Sequence, residues 1–127
     1  MSYAEATVAW AENQTCCWSC GRKGSWPVSL QIHHFVRGCN RHANEMATLG
    51  AACEKCHREE HNGHSLGLLR WMALKVLYDA EYADRVKVNT LRGRAPDAIS
   101  EAELAVEVSS IFRIVANERH GHAEARA

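Results

Sequence analysis

Two cysteine pairs carry the first recognisable chemistry in this chain: Cys17-Trp-Ser-Cys20 and Cys53-Glu-Lys-Cys56. A pair with two residues between its members reaches one ion from a single tight turn. Two such pairs supply the four thiolates of a closed tetrahedral zinc site, where no position is left for water. Beside them stand four histidines. His33 and His34 are adjacent, while His57 directly follows Cys56 and is followed by His61 four residues on. On a helix that spacing puts both rings on one face, with Cβ atoms about 5–6 Å apart. With zinc assigned to the cysteines, the histidines are available for a second ion.

The elements that must position these residues can be read from the surrounding pattern. Residues 4–12 are mildly helical, and NQTCCWSCGRKG reads as a turn-rich knuckle. After Pro27, Val28, Leu30 and Ile32 alternate within VSLQIHHF, which predicts a strand. Adjacent His33 and His34 then point to opposite sides of it, so that one can join the helical pair on an ion while the other faces a substrate. RGCNRHANE is polar and reads as a loop, MATLGAA as a short second strand, and EKCHREEH as a short helix stopping near Asn62-Gly63.

From Ser65 onward, Leu69, Met72, Val76 and Leu66, Ala73, Leu77 form a stripe at helical spacing, expected to be core, with a dimer contact as the alternative. Gly93 and Pro96 break that pattern. Ser100 with Glu103 forms a capping box that opens a second helix. Trp18 and Trp26 are expected to pack around the zinc module. Cys16 is read as a spare beside the knuckle and Cys39 as a free thiol.

LQIHHF, followed by CEKCHREEH between paired cysteine knuckles, resembles the HNH endonucleases, whose nuclease unit is a ββα-metal fold. The resemblance covers residues 17–62. The double histidine and the H-x3-H helix are similar to the DNase-colicin version, and the knuckles to phage and bacterial HNH proteins. It implies that His33, His57 and His61 hold a catalytic divalent ion and that His34 is the general base that activates water against a DNA phosphate. Thr48 stands where the family has an asparagine, five residues before Cys53, that ties down the loop aiming the base. Its hydroxyl can make one such bond, and Asn44 or Asn40 can substitute if the alignment slips. Arg37 and Arg41 are candidates for phosphate contacts. Three neutral imidazoles suit manganese, nickel or zinc better than magnesium, which prefers oxygen ligands.

Composition sets the limits. At 127 residues, the chain is long enough for one domain with a modest core. Fifteen basic and fifteen acidic side chains cancel, so bulk charge announces no nucleic-acid partner. Between Arg22 and Arg58, however, Arg22, Lys23, Arg37, Arg41, Lys55 and Arg58 face only Glu45 and Glu54. No apolar run approaches the ~20 residues of a membrane span. MSYAEATVAW lacks the basic start and apolar core of a secretory signal, which predicts a cytoplasmic protein, and the resemblance implies the cytoplasm of a bacterium or a phage-infected host.

The expectation is therefore a single α+β domain over residues 1–127. A zinc-stapled ββα-metal unit spans 13–63 and two helices follow over 64–119. The expected function is hydrolysis of DNA phosphodiester bonds by a one-metal mechanism, with structural zinc and a catalytic Mg2+, Mn2+, Ni2+ or Zn2+ ion. The rival is a non-catalytic zinc module that binds DNA or a phage or bacterial protein partner. A redox or zinc-storage protein is a third reading.

Overall fold

The computed structural model describes residues 3–36, 44–92 and 98–126, and side chains no further than residue 116. Strand β1 (Leu30–His34) pairs antiparallel with β2 (Leu49–Cys53), and the register sets Ile32 opposite Ala51, His33 opposite Gly50 and His34 opposite Leu49. All five residues of β2 are buried, and after Leu49 all are small. At Gly50, an added Cβ would sit 3.0 Å from Cζ3 of Trp71 and 3.3 Å from Cε3 of Trp18. Glycine is what lets two indoles close over the strand.

Both strands are shorter than the sequence pattern implies. Val28 is 87% exposed rather than part of the strand's apolar face. The carbonyl of Ser25 accepts from both Ser29 and Leu30 N–H groups, a turn that delays strand entry to Leu30. In MATLGAA, Met46–Thr48 form a 3-10 turn capped by the Glu45 side chain, which accepts from Ala47 N–H, so β2 begins only at Leu49.

Helix α1 (Glu5–Glu12) buries Thr7, Trp10 and Ala11. Helix α2 (Glu54–His61) fills the stretch read as EKCHREEH, and Cys56 is its one buried residue. An eight-residue helix with so little apolar face needs other anchors. One is its C-terminus, where Gly63 adopts φ 88° and the His64 N–H reaches back to the Glu59 carbonyl at 3.0 Å. That is a glycine-terminated helix stop.

Beyond the sheet unit, three α-helices occur among the described residues rather than the two expected: α3 (Leu68–Tyr78), α4 (Arg85–Arg92) and α5 (Glu101–Arg126). The long helical pattern is interrupted at Asp79, whose backbone leaves the helix at φ −150°, ψ 51°. The Asp79 carboxylate there accepts from Lys75 Nζ at 2.6 Å and from Trp10 Nε1 at 2.8 Å. The Trp10 contact, from 69 residues away, is tertiary context that overrides local helix propensity. The capping box does open α5: Ser100 N–H donates to Glu103 and Glu103 N–H to the Ser100 hydroxyl, at 3.1 and 3.0 Å.

Helix α3 is enclosed more fully than a stripe would be, since Trp71, Met72, Ala73, Leu74 and Lys75 are all buried. Leu66 lies ahead of the helix and is exposed. One apolar cluster joins Trp10, Trp18, Leu30, Ile32, Leu49, Trp71, Leu74, Ile111 and Val115, with Trp26 packed against it. A second joins Val36, Ala47, Met72, Val88 and Ile99. Arg70 and Glu107 pair between α3 and α5. Among the described residues, no helix is long and apolar enough to cross a membrane.

Candidate metal centres

The knuckle at Cys17 is closed by backbone. Gly21 N–H donates to the Cys17 carbonyl at 2.8 Å, Cys17 N–H to the Arg22 carbonyl at 2.9 Å, and Gly21 takes φ 78°. Trp18 N–H then hooks the knuckle onto β2 through the Ala51 carbonyl at 2.9 Å. The second pair brackets the first turn of α2, with Cys53 as its N-cap. Together, Cys17, Cys20, Cys53 and Cys56 bring their sulfurs within 4.8 Å of one another. Cys20 and Cys53 are 3.9 Å apart. Zinc at about 2.3 Å from each of four sulfurs requires edges of about 3.8 Å, so the donor set fits a zinc ion.

The electrostatics of the thiols agree with that use. Burial pushes the Cys17 thiol up, and it pushes Cys56 up to about 11. Burial opposes ionisation at Cys53 too, but the Cys56 backbone N–H and the thiols of Cys56, Cys20 and Cys17 bond to its sulfur and hold it below the ordinary value. The cluster thus stabilises a first thiolate, and a divalent ion would complete what hydrogen bonds begin.

The second group is also brought together. His33, His57 and His61 each offer a nitrogen within 4.8 Å of the others. The two Nε2 atoms of the helical pair are 3.2 Å apart. Tetrahedral nitrogens at about 2.0–2.1 Å from an ion would be separated by about 3.3–3.4 Å. His33 is 5% exposed and its Nδ1 is buried with no hydrogen-bond partner among the described residues. A buried nitrogen left unsatisfied in this way is what an ion would complete. Burial, then the nearby His57, His61 and His34, hold His33 down to about 3, and burial with His61 and His34 lowers His57. Both rings are thereby kept in the neutral form that binds metal.

His34 lies on the opposite side of β1 from His33, half-buried and stacked on Tyr3 with ring centroids 6.1 Å apart. Its charge nonetheless acts on both His33 and His57. Thr48 is fully buried, and its hydroxyl donates to the Glu45 carbonyl at 2.9 Å, while its own carbonyl accepts from Phe35 N–H at 3.1 Å. The hydroxyl thus braces the turn before β2, and the backbone ties that turn to the residue after His34. Asn44 accepts from Ala4 N–H at 2.9 Å, anchoring the N-terminus instead. Cys16 is buried outside the four-sulfur cluster. Arg37, Cys39, Asn40 and Arg41 lie outside the described residues.

Several residues around the histidines were missed by the spacing argument. Gln31, two residues before His33 on the same face of β1, accepts from His57 Nδ1 through its Oε1. Glu60 sits on α2 between His57 and His61, with Oε1 at 3.6 Å from His33 Nε2. The alternation of β1 could have flagged Gln31, since residues 31 and 33 share a face. Glu60, on the third position after His57, could have been flagged by helical spacing. Trp71 had no such signal: its ring lies 4.6 Å from that of His33 through a helix 38 residues distant.

No family model, curated protein or solved structure matches this chain.

Proposed function

We propose that the protein is a metal-dependent endonuclease that hydrolyses DNA phosphodiester bonds at the histidine centre, with the cysteine cluster as its structural zinc site. The observation that carries this reading is the convergence of His33, from a strand, with His57 and His61, from the next helix, at ligand spacing. Three imidazoles make an open donor set, unlike the closed set of four sulfurs. A divalent ion bound there would stabilise the negative charge that builds on the phosphate and the leaving oxygen.

The chain's own residues supply the rest. Gln31 orients the His57 ring. His34, adjacent to a ligand and electrostatically coupled to two of them, is the general base. An imidazole with an ordinary pKa of about 6.5 accepts a proton from water near neutral pH. As water adds to phosphorus, that proton passes to His34 and the bond from phosphorus to the sugar oxygen breaks. The 3-10 turn at Met46–Thr48 supports the segment after His34 through the Thr48 carbonyl. Arg37 and Arg41 are the proposed phosphate contacts.

Incubation of supercoiled plasmid with the protein and manganese, nickel, magnesium or zinc tests the proposal. Nicking by the wild type that His34→Ala lacks, with ion binding retained in the variant, is the expected result. One observation favours a second reading, a non-catalytic zinc module binding DNA or a protein: the Thr48 hydroxyl is committed to Glu45. Equal inertness of both proteins with every ion, alongside retained binding, would establish that reading.

A further inference from the structure

Glu60 is an unusual residue for its place. It lies in the last turn of α2, where the helix dipole disfavours an anion, and its side chain is only 6% exposed. It is nevertheless fixed firmly. Oε1 accepts from Trp71 Nε1 and from the Ser65 hydroxyl, both at 2.9 Å, and Oε2 accepts from Leu66 N–H at 2.7 Å. Three donors from two other segments hold the carboxylate still before any ion arrives. Its Oε1 lies 3.6 Å from His33 Nε2, just beyond a hydrogen bond.

A neutral imidazole has one N–H and one lone pair. At His33, Nε2 faces the carboxylate and Nδ1 is the buried nitrogen without a partner among the described residues. The proton on Nε2 points at an acceptor and leaves the Nδ1 lone pair available. The other tautomer would set a lone pair against the carboxylate and bury an N–H with nothing to receive it. His57 is treated the opposite way. Its Nδ1 engages Gln31 Oε1, which as an acceptor holds the proton there and leaves Nε2 facing His61 Nε2 at 3.2 Å.

We infer that Glu60 is a positioning residue that sets the His33 tautomer, so that the centre takes one Nδ1 ligand, from His33, and two Nε2 ligands, from His57 and His61. This rests on the histidine-centre reading of the proposed function and not on catalysis.

The test uses full-length, 15N-histidine-labelled protein with zinc on its cysteines and 113Cd2+ added as the probe ion. Long-range 1H–15N correlation spectra should show cadmium coupling at His33 Nδ1, His57 Nε2 and His61 Nε2, with the His33 proton on Nε2. Coupling at His33 Nε2 would overturn the inference while leaving the centre intact. Absence of coupling on all three imidazoles would remove the centre itself, and the inference with it. A variant pair adds a second readout: Glu60→Gln keeps an acceptor oxygen, whereas Glu60→Met removes it. Cadmium affinity should fall about 10-fold in the first and about 100-fold in the second, the range for loss of a group that orients a ligand. A thermal melt shows whether each variant is folded, and unchanged affinity in a folded Glu60→Met protein would overturn the assignment.

Discussion

His57 Nε2 and His61 Nε2 lie 3.2 Å apart across one turn of α2, with His33 reaching them from the neighbouring strand. Three rings from two elements share one small volume, and the helix that carries two of them also carries Cys56 and is capped by Cys53. The sulfur cluster and the imidazole cluster are therefore built on a common support. This arrangement gives each a separable signature.

The histidine centre should bind one divalent ion beyond the zinc held by the cysteines. His61→Ala is expected to weaken that second ion by more than the roughly 100-fold that loss of an orienting group costs. Titration calorimetry on zinc-loaded protein measures it. Two ions per chain bound with unaltered affinity by the variant would contradict the assignment.

Loss of the sulfur cluster should act on the fold. Structural zinc contributes an apparent ~10–16 kcal/mol in small zinc modules, and α2 has one buried residue to hold it otherwise. Cys53→Ser, or a strong chelator, is expected to unfold the sheet and α2. Circular dichroism and a thermal melt are the measurements, and native-like curves from the variant would refute the coupling.

Acid should destabilise the protein through His33 when no ion occupies the histidines. The native ring is held down to about 3 against an ordinary 6.5, so between those values the unfolded chain takes up a proton that the native state refuses. Stability is thus full above about 6.5 and falls by about 1.4 kcal/mol per pH unit as pH drops below it. His57, lowered mainly by burial, adds in the same direction. Urea unfolding at pH 7.5, 6.5 and 5.5 should show a shallower decline for His33→Asn, and parallel declines would count against the burial argument.

Lys75 is the largest feature that spacing did not foretell. Its side chain is 0% exposed and Nζ donates to the Met46 carbonyl at 2.6 Å, the Leu49 carbonyl at 2.8 Å and Asp79 at 2.6 Å, with the Trp10 ring centroid 5.0 Å away. Lys75→Met leaves Asp79 and two carbonyls without that donor, and about 3–5 kcal/mol should be lost. Lys75→Met combined with Asp79→Asn should lose less, because the orphaned charge is gone. Denaturant midpoints decide it, and equal losses for the single and double variants would argue against a paired charge.

Much of the sheet unit was legible because its signals are local. The cysteine spacing anticipates one four-sulfur cluster, the H-x3-H spacing one helix face, Ser100 and Glu103 a capping box, and Asn62-Gly63 a helix stop. What was misread depended on distant partners. At the helix break, Asp79 is held by Trp10, 69 residues away. Gly50 owes its identity to two indoles from other segments, and Glu60 acquires meaning only once Trp71 and Ser65 surround it. Helical periodicity carries no signal for a buried Lys75, since long basic side chains normally keep their ends in water.

That ammonium group has a bearing on modularity. Its acceptors at Met46 and Leu49 belong to the ββα segment, whereas the lysine belongs to the helical region. Transplanting residues 13–63 into another scaffold would carry off the acceptors and abandon their donor. The two halves are spliced rather than strung together, and any recombination point between them would sever a bond that neither half can replace.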